Sequence, residues 1–206
     1  MEFSDYIAIL KKNILLILAL GIVLGLVAFF ATSKQPTSYQ ATSALEILRD
    51  QTQKQSDVGY YQYDNYYNVQ VSANLSDNLV GWLAAPSTVA EIFRSAGYDV
   101  PSGDLRDLGK IFTVKKKIST SSVIDVSYVS TDSDKAESLM KAAMTNLKGK
   151  VEQYNKSDNS SKFSVSISEP VVIIAPKQLT INTVVAVIVG LLIGTGIAFA
   201  KESTKK

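Results

Sequence analysis

Residues 14–31 read ILLILALGIVLGLVAFFA, an apolar run without a break, and residues 184–200 read VVAVIVGLLIGTGIAFA. No charged residue falls between Lys12 and Lys34, or between Lys177 and Lys201. At about 1.5 Å rise per residue, about 20 residues cross a hydrocarbon core of about 30 Å. Both segments are therefore predicted to be membrane-spanning helices. They divide the chain into an interfacial segment (1–13), a first span (14–32), a domain (33–180), a second span (181–200) and a tail (201–206). A cleaved signal sequence is the rival reading of the first segment. Its apolar run is long for such a leader, and Phe29 and Phe30 stand where a cleavage site needs small residues.

Lys11 and Lys12 precede the first span, and Lys201, Lys205 and Lys206 follow the second. Short Lys-rich flanks stay in the cytoplasm. Both termini are thus predicted to be cytoplasmic and the domain outside. Residues 33–180 carry 16 basic and 16 acidic residues, so the net charge of +2 belongs to the flanks. A domain of zero net charge exerts no general pull on nucleic acid, and no nucleic-acid partner is expected.

The chain has no His and no Cys. This removes the commonest metal ligands, thiol nucleophiles, His-based triads and disulfides. No G-x-x-x-x-G-K-[ST] sequence occurs, so a phosphate-cradling loop of that type is absent. No cofactor or metal is expected, and the tails leave no room for a kinase or other output domain. The domain itself is long enough to bury a real core.

Within it, Tyr39 to Leu48 alternates as a strand, with Tyr39, Ala41, Ser43, Leu45 and Ile47 on one face. Its second half (Ala44, Leu45, Ile47, Leu48) is apolar on both faces, as in a buried strand. Asn68 to Leu83 has helical spacing. A second helix starts at Pro86-Ser87-Thr88, where Thr88 and Glu91 are spaced for a capping box, and Gly97 ends it. Ile111–Lys117 and Val123–Val129 read as strands. Thr131, Asp132, Ser133 and Asp134 are N-cap types and start a long helix whose apolar stripe runs through Ala136, Leu139, Met140, Ala143, Leu147, Val151 and Tyr154. Phe163–Ser168 is a strand, and Val171–Ile174 extends the sheet. The expected fold class is α+β: two spans flanking a domain with a mostly antiparallel sheet and a long helix.

Candidate site residues fall into three groups. Gly21 and Gly25 in the first span, with Gly190, Gly194 and Gly196 in the second, have small-xxx-small spacing that lets helix backbones approach closely. Tyr60, Tyr63 and Tyr67 share one face if Gly59–Tyr67 is helical. Tyrosines stack on sugars and favour protein interfaces, so glycan contact and subunit or internal packing both stand. Lys115, Lys116 and Lys117 form a basic run that either touches an anionic glycan or head group, or is a solvated strand end. The acidic pair Asp132 and Asp134 would suit a hydrolase, but at a helix start capping explains it more simply.

Several of these residues coincide with one family pattern. An interfacial stretch (Asp5 to Lys12) leads into a span and then Tyr39-Gln40-Ala41-Thr42-Ser43-Ala44-Leu45, similar to a Tyr-x-Ala-x-x-x-Leu strand. Val123-Ile124-Asp125-Val126-Ser127 precedes Asp132-Ser133-Asp134-Lys135-Ala136, where the family has Asp-Pro-x-x-Ala. Pro170 and Pro176 precede a Gly-rich second span. In these respects the chain resembles the chain-length determinant proteins, or polysaccharide co-polymerases, of bacterial surface-polysaccharide synthesis. It departs from them at Ser133, which replaces Pro, in its sparser membrane-proximal proline motif, and in lacking room for a long helical arm between Lys150 and Phe163.

The resemblance implies a compact member in the bacterial inner membrane, non-catalytic and assembled as a ring-like homo-oligomer. Its partner would be a polysaccharide polymerase, and its action would set the length of O-antigen, capsule or exopolysaccharide. The alternative it implies is an adaptor for a separate tyrosine kinase. The long-helix stripe and the Tyr-rich helix are the expected subunit contacts, and the glycines the expected contacts in the membrane.

Overall fold

The structure is a computed structural model, and it describes residues 3–49, 64–116, 118, 121–157 and 162–204, with the side chains of 3–5 and 64–67 left aside. Two compact units divide the chain: Met1–Pro36 with Pro176–Lys206, and Thr37–Ala175.

The first unit contains α1 (Phe3–Lys12), α2 (Ile14–Ser33) and α7 (Leu179–Ser203). The helices α2 and α7 are both long and apolar enough to cross a membrane. Between α1 and α2 the chain barely breaks. The amide of Asn13 donates to Ile9 O at 3.1 Å and its side-chain Nδ2 to the same oxygen at 3.0 Å, which ends one helix and starts the next. Ile9 and Ile17 pack with Ala198, and Tyr6 meets Phe199 edge-on at 5.7 Å.

The second unit is a five-stranded antiparallel sheet covered on one face by helices. It contains β1 (Tyr39–Arg49), α3 (Asp64–Leu83), α4 (Pro86–Ser95), α5 (Leu105–Leu108), β2 (Thr113–Lys116), β3 (Val123–Ser130), α6 (Ser133–Ser157), β4 (Phe163–Ile167) and β5 (Val171–Ile174). Strand order is β2-β3-β1-β4, and β5 also pairs with β1. The expected α+β class with two flanking apolar helices is what the structure has.

β1 is central and follows period 2. Ala41, Ser43, Leu45 and Ile47 are buried while their neighbours are not. Leu48 is 49% exposed, so β1 is buried on one face to its end rather than on both. The covering helices contribute Leu75, Leu79 and Leu83 from α3, Val89, Ile92 and Phe93 from α4, and Leu139, Met140, Ala143 and Leu147 from α6. Phe93 and Phe112 pack around the ring of Tyr128, at 6.3 and 5.5 Å. The α6 stripe read from the sequence is therefore the core. It is consumed inside the sheet unit and is not open to a second copy, contrary to the subunit contact expected of it.

Local chemistry sets the helix ends. The carboxylate of Asp132 accepts from the amides of Asp134 (2.8 Å) and Lys135 (3.1 Å), capping α6. At α4 the expected capping box is not formed. The helix begins at Pro86, with Ala85 as N-cap, and Thr88 is buried inside the first turn. Proline is pre-set for that first position and takes over the start signal. The end is as read: Gly97 has φ +79°, with Gly97 N–H donating to Arg94 O and Tyr98 N–H to Phe93 O, a Schellman closure that needs a left-handed residue.

Candidate functional site

Two places bring predicted site residues together. The first is the seam between α2 and α7. Ile17, Gly21 and Gly25 recur every four residues on α2, and Gly190, Gly194 and Ala198 do so on α7, and all six are buried. The glycines are not equivalent. A methyl group on Gly190 would lie 2.8 Å from both Gly21 Cα and Leu20 O, and one on Gly194 would lie 2.9 Å from Ile17 Cα. Those neighbours are backbone and cannot move aside cheaply. At Gly21 and Gly25 the neighbours are the tips of Leu191 and Val187, at 2.9 and 2.6 Å. So α7 presents bare backbone to α2, and α2 offers notches that side chains of α7 fill. Gly196 has open space around it and takes no part in the seam.

Polar groups close the seam at both ends. Lys177 Nζ donates to Ser33 O (2.9 Å) and Gln35 O (2.6 Å), satisfying carbonyls at the C-terminus of α2 and placing a cation at its negative dipole end. Asn182 Nδ2 donates to the buried Thr32 Oγ1 at 3.3 Å. At the opposite end Lys12 and Glu202 form an ion pair at 2.8 Å. Sequence reading treated Lys177 only as the charge that bounds the second span. Its chemistry was signalled by its position, a lysine just outside an uncharged helix whose hairpin partner ends in unpaired carbonyls.

The second place is the β4–β5 edge beside β1. Leu45 pairs with Ile167 and Thr42 with Val171. Two residues of β1 thus face three of the other chain segment, Ser168, Glu169 and Pro170. This is a bulge, and Pro170 sits where no ladder N–H is required. Ser168 holds it: its N–H donates to Ala44 O (2.9 Å), its Oγ accepts from Ala44 N–H (2.8 Å), and its carbonyl accepts from Ser43 Oγ (2.7 Å). Ala175 N–H donates to Ser38 O at 2.8 Å, and Pro176 follows it without a donor of its own.

The remaining candidates are not brought together. Tyr60, Tyr63 and Lys117 lie outside the described residues, and Tyr67 is on α3 with its side chain undescribed. Lys115 is exposed on the open face of the sheet, directly across from Asp125. Lys116 points to the other face, where its ammonium reaches Asp77 on α3 at 2.7 Å and Ala73 O at 3.3 Å. Period 2 separates two adjacent lysines that a linear reading groups as one patch. An open groove of about 490 Å³ between α4 and α6 is lined by Glu91, Ser95, Ser138, Lys141, Thr145 and Asn146. Glu137 hydrogen-bonds the Lys141 ammonium and raises its pKa above the ordinary lysine value.

No family model and no curated protein matches the chain. Among solved structures, one described as a "full-length bacterial polysaccharide co-polymerase" superposes with a TM-score of 0.47, at 12% identity, over 99% of this chain and 98% of that one.

Proposed function

We propose that this protein is a non-enzymatic membrane regulator that sets the chain length of a bacterial surface polysaccharide, working as a closed homo-oligomer beside a polymerase. The supporting observation is the order of elements. A long central strand starts six residues after α2 ends, a long helix follows Asp132, and a proline-bearing bulge leads back to α7. This is the order in which the sequence pattern resembles the co-polymerases, and a compact member is the form proposed. The two apolar helices are read as crossing the inner membrane, with both termini in the cytoplasm and the sheet domain outside.

The carboxylates that a hydrolase would use support the same reading. The Asp132 carboxylate accepts from the two amides that start α6. Ring closure requires heterologous contacts between neighbouring copies. The exposed side of α6 and the lysine at 115 are the surfaces left for neighbours or glycan. The glycine seam then serves to hold the hairpin that anchors each copy.

The test is the size distribution of surface polysaccharide on a gel, from cells with and without the gene. Loss of a defined length distribution with polymer still made is the expected result. Complete loss of polymer would move the role to a kinase adaptor or export component, and an unchanged distribution would refute length control.

A further inference from the structure

The open face of the sheet changes character along its length. Away from the tethers its cross-strand rows are largely polar: Ala44 with Asp125 and Lys115, then Glu46 with Val123 and Ser166. At the other end the row is Ile173, Gln40 and Val129, beside Val171 on Thr42. Val129, Val171 and Ile173 are each more than half exposed, and so is Ile174 on the opposite face. An edge strand reading Val-Val-Ile-Ile is an aggregation liability in water unless something covers it.

Chain connectivity identifies the cover. Ile174 is paired with Tyr39, so both covalent tethers to the apolar helices leave from this one end of the sheet. Five residue steps separate Ile174 from Leu179, where α7 begins, and six separate Ser33 from Tyr39. At about 3.5 Å per residue the tethers reach at most about 17 and 21 Å. The headgroup zone adds only about 5–8 Å to each side of the hydrocarbon. Tethers of that length allow the apolar end of the sheet to reach that zone.

We propose that the end of the sheet formed by Val129, Val171, Ile173 and Ile174 docks into the lipid interface of the bilayer that α2 and α7 cross. The proposal rests on these helices spanning a membrane and not on control of glycan length. The attraction is apolar. Glu169 flanks the patch and Asp132 follows the end of β3, while Lys34 and Lys177 stand on the tethers, so neither sign of charge dominates here. Burial of such side chains at an interface is driven by area removed from water and does not depend on ionic strength.

The chain has no cysteine, so single substitutions label one site each. Ile173→Cys, Val129→Cys and, as a control, Ile118→Cys at the far β2–β3 connection would each carry a polarity-sensitive fluorophore. The full chain is reconstituted into phosphatidylcholine vesicles with or without lipids carrying a shallow spin-label quencher. The expected result is loss of fluorescence at positions 173 and 129 but not at 118, unchanged between about 0.1 and about 1 M salt, where charge effects are screened out. Trp82 fluorescence verifies that each variant is folded. Quenching at 173 and 129 no greater than at 118 would overturn the proposal. A blue-shifted but unquenched probe would do so too, and would assign the patch to a second copy of the chain.

Discussion

The seam between α2 and α7 and the core under the sheet are built in opposite ways. The core is filled by large side chains with no exposed surface, among them Phe93, Leu45, Ile47, Leu139 and Met140. The seam is filled by almost nothing: Gly190 lies against the backbone of Gly21, and Gly194 against that of Ile17. In water, removing apolar area from solvent is itself the driving force, so volume is useful. Between two helices in lipid that force is absent, and close backbone contact with polar closure at the ends replaces it. One chain thus uses bulk in one unit and its absence in the other, and a substitution that is harmless in one should be harmful in the other.

The largest effect should come from removing volume from the core. Phe93→Ala should lower the stability of the sheet unit by about 3–5 kcal/mol, the usual cost of a large aromatic cavity. Denaturant unfolding followed by Trp82, the single tryptophan, which packs against that core, would measure it. Adding volume to the seam is the converse. Gly190→Leu should cost about 1–3 kcal/mol of helix pairing. The readout is a bifunctional thiol cross-link between Lys12→Cys and Glu202→Cys, which replace the ion pair at 2.8 Å. Gly196→Leu should leave that cross-link unchanged, because nothing lies within 4 Å of the position.

Smaller effects sharpen the same contrast within the sheet unit. Asp132→Ala should cost about 1 kcal/mol by removing the N-cap of α6, and Asp132→Asn should restore most of it. Tyr128 supplies a pH signature. Burial pushes its phenol pKa up, and the hydrogen bond with Ser130 opposes this only in part. The folded state therefore favours the neutral phenol. Its contribution is fully present below the ordinary value of about 10 and is lost as pH rises through the higher folded-state value. Tyr128→Phe should flatten that alkaline loss in a pH series of Trp82 unfolding curves, with less change near neutrality.

Much of this layout was readable because it follows from periodicity. The uncharged segments mark α2 and α7, period 2 marks the buried face of β1, and the stripe from Ala136 to Val151 marks the inner face of α6. What was hidden depends on pairing between distant residues. The bulge at Ser168–Pro170 arises from the registers of β4 and β5 on β1, and no window of sequence contains both partners. The division of Lys115 from Lys116 follows from which face of β2 is covered by α3. The inequality of the five glycines depends on which helix supplies side chains and which supplies backbone. At α4 the competing signal was local: Pro86 claimed the first helical position and left Thr88 inside the turn.

In the proposed topology α2 and α7 cross a membrane and the sheet unit lies on its outer side. Intact cells expressing Ile118→Cys or Ser203→Cys can be treated with a membrane-impermeant maleimide. Labelling of Ile118→Cys is expected in intact cells, and of Ser203→Cys only after lysis. Labelling of Ser203→Cys in intact cells, with Ile118→Cys protected until lysis, would contradict it.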